Sequence, residues 1–133
     1  MGDKTESRIQ QEIVRWFRNN HGLNHHDPQC VIFSVPNEMA MQIAGTLKSL
    51  GVSQAIVRRA SSMITHLFKS TGMMSGVSDL IVLLPGRVLF IEVKTSAGRQ
   101  SERQKRFEGI VSRLGFDYHI VRSLEEFKEV LNL

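Results

Sequence analysis

Ile9, Ile13, Trp16 and Phe17 recur at the spacing of one buried helical face, and Thr5 precedes them where an N-cap belongs. This predicts a helix from Thr5 to about Arg18. Residues 20–29 are polar, with Gly22 and Pro28, and form a loop; Cys30 to Val35 is a short β-branched strand stopped by Pro36. Between Met39 and Gly72 two helical patterns follow. Met39, Ile43, Leu47 and Leu50 share one face up to Gly51, and Ile56, Met63, Ile64, Leu67 and Phe68 carry a second helix to Gly72. Next come two nearly unbroken apolar runs, LIVLL and VLFIEV, around a turn at Pro85, Gly86 and Arg87. The chain closes with a helix from about Ser101 to Leu114, a strand from Phe116 to Val121 and a helix from Leu124 to Leu131. That order gives an α/β fold, a mixed central β-sheet flanked by helices, in a single domain with a helical insertion at about residues 39–72.

Both hairpin strands are apolar at nearly every position, so they belong in the middle of the sheet, covered on both faces. Composition adds little: the chain has 133 residues, a net charge of +4 and scattered Lys and Arg, which suits an acidic partner. One cysteine, Cys30, allows no internal disulfide. The N-terminus has no apolar core of a signal peptide, and no apolar run spans a bilayer, so a soluble intracellular protein is expected. His21, His25, His26, Asp27 and Cys30 lie near one another but match no Cys/His spacing of a zinc site; a polar loop beside a buried thiol accounts for them.

The hairpin's open end carries the chemistry. With Leu84 opposite Val88, counting outward brings Asp79 beside the segment from Glu92 to Lys94. Glu92 and Lys94 are two apart and point from one face of their strand. Buried charge must be paired or bind a metal. An ion pair of Lys94 with either acid leaves the other acid over. Two neighbouring carboxylates repel unless a cation sits between them, and hard oxygen ligands suit Mg²⁺ or Mn²⁺. Such an ion beside a lysine fits phosphodiester hydrolysis.

Asp79 followed, after a turn, by Glu92-Val93-Lys94 resembles the signature of the PD-(D/E)xK nuclease superfamily. The stretch GVSDLIVLLPGRVLFIEVKTSAGRQSERQKRF, with GFDYHIVRSLEEF after it, resembles the virus-type replication-repair nuclease (VRR-Nuc) family. The likeness is close over about the last 60 residues and looser at the first helix and SVPNE. Ser78 stands where the superfamily name has proline. The resemblance implies a restriction-endonuclease-like core in which Asp79, Glu92 and the carbonyl of Val93 bind the ion and Lys94 is the catalytic lysine. It also implies an acid on the first helix. Glu6 lies about 20° from Ile13 on a helical wheel and Glu12 about 100° away, which favours Glu6, with Gln10 one turn on.

Gln104 matches the family's glutamine beside the active site. Asn37, Arg99, Ser101 and Arg103 are candidate DNA contacts, with Arg58, Arg59, Lys105, Arg106 and Lys69 as further phosphate-binding candidates. Short stand-alone members of the family are typical of phage or prophage and look like homodimeric junction-resolving enzymes, which places the chain in the cytoplasm of a bacterial host. The expectation is therefore a Mg²⁺- or Mn²⁺-dependent homodimeric endonuclease for branched DNA such as Holliday junctions. Its rivals are a monomeric flap- or end-directed nuclease and a DNA-binding module that kept the fold without the chemistry.

Overall fold

The computed structural model describes residues 4–21 and 30–132. It divides into two compact units, residues 1–35 with 76–133, and residues 36–75. The second unit holds α2 (Met39–Ser49) and α3 (Gln54–Ser70), which pack on each other. Ser53 caps α3 by accepting the Ile56 N–H at 3.4 Å. Val57 is buried, with Ile64 and Phe68 half-buried along the same side of α3.

The first unit is a four-stranded sheet in the order β1-β2-β3-β4 with three helices. Its strands are β1 (Val31–Ser34), β2 (Leu80–Leu84), β3 (Arg87–Val93) and β4 (Asp117–Val121). β1, β2 and β3 pair antiparallel and β4 joins β3 in parallel, so the sheet is mixed. The helices are α1 (Glu6–His21), α4 (Glu102–Arg113) and α5 (Leu124–Leu131). Thr5 caps α1 by accepting the Arg8 N–H at 3.2 Å. The helix runs three residues beyond Arg18, because nothing in RNNH breaks it.

One sheet face carries Ile32, Leu80, Val82, Leu89, Ile91, Val93 and Val121 against Ile9, Ile13 and Phe17 of α1 and Phe127 and Val130 of α5. That is the main core, and it spans every strand. The opposite face of β3 and β4 is covered by α4 through Phe107, which meets Phe90 and Tyr118 edge-on at 5.6 and 6.2 Å. α4 covers only that half. Val31, Phe33 and Leu83, on β1 and β2, stay about 40% exposed, so the prediction that both hairpin strands are covered on both faces holds for β3 and fails for the outer part of β2.

The hairpin turn is one residue shorter than predicted. Leu84 pairs with Arg87 and Leu83 with Val88, leaving only Pro85 and Gly86 in the turn. Proline pre-sets the first turn residue, and Gly86 takes the φ of +69° that the second requires. The change matters for chemistry, because a one-residue shift moves every side chain to the other face. Continuing the observed register from Leu80 and Ile91 sets Asp79 across from Glu92, whereas the three-residue turn sets it across from Val93.

Candidate active site

Glu92 lies near the end of β3, and Lys94 follows its last residue. Glu92 is 2% exposed and Lys94 8% exposed. The Lys94 Nζ lies 3.6 Å from Glu92 Oε1 and 3.9 Å from Glu6 Oε1, at the start of α1. Glu6 therefore joins this cluster. Glu12 turns elsewhere, to Lys4 at 2.9 Å and Arg8 at 4.0 Å.

Asp79 reaches the cluster from the chain entering β2. Its Oδ2 accepts the backbone N–H of Val93 at 2.8 Å, which fixes the carboxylate against the strand that bears Glu92. Beside it, Ser78 is fully buried and its hydroxyl donates to the Leu80 carbonyl at 3.2 Å. Where proline would restrict the backbone, a serine hydroxyl here ties it down. The same segment passes close to α4. Gly76 has a φ of +85°, and a Cβ there would strike the carbonyl of Arg103, so only glycine lets the two backbones approach.

α4 supplies the last member. Ser101 accepts the Gln104 N–H at 3.2 Å, and Gln104 Oε1 accepts the Ser101 N–H at 2.8 Å, a reciprocal capping box. The other end of the same amide donates from Nε2 to Glu92 Oε1 at 2.7 Å. One glutamine thus starts the helix and orients the acid. Arg99 and Arg103 flank this cap on the exposed surface, Val93 is fully buried, and Asn37 belongs to the second unit. His25, His26 and Asp27 lie outside the described residues, while His21 packs against the rings of Trp16 and Phe17.

The electrostatics are those of two acids confined together. Burial pushes the Glu92 carboxyl up to about 8, the neighbouring Asp79 charge pushes the same way, and Lys94 opposes both. Asp79 is also raised, chiefly by burial, while the Val93 N–H pulls it down. With both acids ionised, Glu92 Oε2 is buried without a hydrogen-bond donor. A proton shared with Asp79 or a cation between the acids relieves it. A divalent ion fits the donor chemistry: two carboxylates, both hard oxygen ligands, and one orphaned lone-pair set aimed into the site. Among the described residues no three His, Cys, Asp or Glu side chains gather to hold a metal by themselves; two carboxylates with backbone and water oxygens would complete an octahedral shell.

Two features had no signal in the sequence. Gln100 Nε2 donates to Glu108 Oε2 at 3.0 Å and to the Tyr118 hydroxyl at 3.3 Å, and burial raises the Tyr118 phenol. Arg122 spends its guanidinium on backbone carbonyls of the turn after Lys94. Each depends on side-chain reach across the fold, not on spacing along the chain.

No curated protein matches the chain. A solved structure described as a VRR_NUC domain protein superposes with a TM-score of 0.65 at 15% identity, covering 99% of this chain and 88% of that one. At that identity the likeness establishes the fold. The family model of the VRR-NUC domain matches residues 4–125, a span that takes in the acids of α1, the hairpin and α4. The chain belongs to the VRR-NUC domain family and carries its nuclease-type fold.

Proposed function

We propose that the protein is a divalent-metal-dependent, structure-selective DNA endonuclease that cuts branched DNA such as Holliday junctions. The observation that carries this reading is the half-buried Asp79 beside the buried Glu92, whose Oε2 has no hydrogen-bond donor and whose Oε1 lies 3.6 Å from the Lys94 ammonium. Asp79, Glu92 and the Val93 carbonyl would hold Mg²⁺ or Mn²⁺. When bound, such an ion polarises the scissile phosphate and acidifies a water. The protein supplies the remainder. Lys94, held between Glu92 and Glu6, orients the attacking water and offsets the charge that grows on the phosphate. Gln104 keeps Glu92 from turning. Arg99, Ser101 and Arg103, at the exposed start of α4, meet the DNA backbone, and Asn37 is a further contact in the second unit.

A symmetric junction calls for two sites, and a twofold dimer provides them. Ile56, Met63 and Leu67 support that reading: they lie on one stripe of α3 and are each more than half exposed.

The test is cleavage of end-labelled four-way junction, flap, duplex and single-stranded DNA in Mg²⁺, Mn²⁺ or EDTA. Paired symmetric nicks on the junction, absent in EDTA and reduced at least about 100-fold by Lys94→Ala or Asp79→Asn, are expected. Cutting confined to flaps or ends would overturn junction resolution while keeping the nuclease site. Unimpaired cleavage by Lys94→Ala would overturn the site itself.

A further inference from the structure

We propose that Arg122 is a positioning residue for Lys94, acting through the turn Thr95–Gly98; the proposal rests on the reading of Lys94 as the catalytic lysine. Two consecutive residues, the last of β4 and the one after it, converge on the segment from Lys94 to Gly98. The Val121 carbonyl accepts the Lys94 N–H at 3.0 Å. Arg122 Nη1 donates to the carbonyls of Thr95 at 2.6 Å and Gly98 at 2.7 Å, with Ser96 at 3.5 Å. Ser123 caps α5, and the Glu126 carboxylate accepts the Arg122 backbone N–H at 2.7 Å. The arginine is therefore anchored at its own backbone before its side chain reaches across to the turn.

The turn in its grip lies against the lysine. The Gly98 N–H donates to the Thr95 carbonyl at 3.1 Å, closing the turn. A Cβ built on Gly98 would stand 3.4 Å from Lys94 Cδ and 3.0 Å from Thr95 Oγ1, so the backbone at Gly98 is packed onto the lysine's aliphatic stem. A lysine has four rotatable side-chain bonds, and its head must stay within a fraction of an ångström of the reacting phosphate to act well. Fixing the turn fixes the stem beneath the ammonium. The contacts to the turn all come from Nη1, held in a planar guanidinium that stays charged at any working pH. A lysine in its place has one compact head and a flexible stem.

The competing role is phosphate binding. Arg122 lines a cleft of about 390 Å³ together with Lys4, Ser96, Glu12 and Glu125. Two acids in that wall disfavour a phosphate, and Nη1 is already engaged by the turn.

The test uses the full chain with wild type, Lys94→Ala, Arg122→Ala, Arg122→Lys, Gly98→Ala and the Lys94→Ala/Arg122→Ala pair. Expected for Arg122→Ala is a kcat lower by about 10- to 100-fold with KM for DNA within about twofold. Arg122→Lys recovers part of the loss. Gly98→Ala, whose Cβ crowds Thr95 within the turn and touches the lysine stem while leaving the guanidinium intact, lowers kcat as well. The double variant is no worse than Lys94→Ala alone, because two residues serving one step do not add. In the metal-free protein, the NMR order parameter of the Lys94 ε-carbon falls on Arg122→Ala.

A raised KM with unchanged kcat would make Arg122 a DNA contact and overturn the proposal. So would a loss of melting temperature with normal kcat per folded molecule, or additive effects in the double variant. If Arg122→Ala does not fold, Arg122→Lys and Gly98→Ala decide by the same criteria. A wild type that cuts nothing overturns the nuclease reading and this role with it; a wild type that cuts, inactivated by Lys94→Ala but indifferent to Arg122, overturns only the role.

Discussion

Glu92 is the residue on which the site's energetics turn. Its raised carboxyl binds a proton in the folded, metal-free protein over a range where the unfolded chain has lost it, from its ordinary value of 4.5 up to about 8. The stability this supplies is fully present below pH 4.5 and is lost as pH rises through 8. Metal-free protein is therefore expected to lose melting temperature between pH 5 and 9, by several degrees for each kcal/mol removed. Glu92→Gln, a neutral stand-in for the protonated acid, flattens that dependence, and Mg²⁺ raises the wild-type melting temperature most at the alkaline end, where the acids are free to bind it. Scanning calorimetry at several pH values with and without Mg²⁺ checks all three. A wild-type profile that rises with pH across this window would show that Glu92 is not held protonated.

At the scale of elements, α4 couples folding to the site, since Gln104 closes the capping box with one end of its amide and holds Glu92 with the other. Gln104→Ala is expected to remove about 1 kcal/mol of cap stability and to lower cleavage. Ser101→Ala should cost a similar stability with a smaller effect on cleavage; equal activity losses would mean that the cap alone matters. α3 makes a separate prediction. Arg58, Lys69, His66 and Arg59 occupy one arc of about 100° on its wheel, all exposed and apart from its buried side. If that arc meets DNA, Arg58→Glu with Lys69→Glu lowers affinity for junction and duplex alike and reduces the salt slope by about one per contact, read by fluorescence anisotropy over a salt series. Unchanged affinity would leave the arc a solvated surface. These elements were legible because their signals are local: period for α1 and α3, and Pro85-Gly86 between unbroken apolar runs for the hairpin. Whereas the place of Asp79 across from Glu92 depends on the observed turn, the shared face of Glu92 and Lys94 followed from strand parity. The turn length did not, since Pro85, Gly86 and Arg87 all suit a turn and only the pairing of Arg87 with Leu84 decides. Nor did Arg122, whose acceptors are backbone carbonyls 24 to 27 residues away, to which no side-chain pattern points.

For the whole molecule the question is whether one copy suffices. Ile56, Met63 and Leu67 are spaced by seven and four residues, which sets them on one stripe of α3, at 58%, 68% and 57% exposure. Leaving such a stripe in water forgoes burial worth about 1.5 to 3 kcal/mol per side chain. Against a second copy the stripe is self-complementary, because across a twofold axis every contact of one residue with another is repeated with the roles exchanged. A stable interface also needs roughly 1,000 Å² in total, more than three side chains supply. Val31, Phe33 and Leu83 offer another exposed apolar patch, on the outer face of the sheet. Sedimentation equilibrium at micromolar protein is expected to give twice the 15.1 kDa of the chain. Met63→Glu, which buries a charge at the centre of the stripe, should yield a monomer that still melts cooperatively and still nicks DNA in Mg²⁺, but without the paired symmetric cuts on a junction. Phe33→Glu tests the sheet face in parallel. A dimer that survives Met63→Glu and dissociates with Phe33→Glu would move the interface from α3 to the sheet. A monomer already in the wild type would remove the twofold arrangement, leaving each copy to act on a single strand at a time.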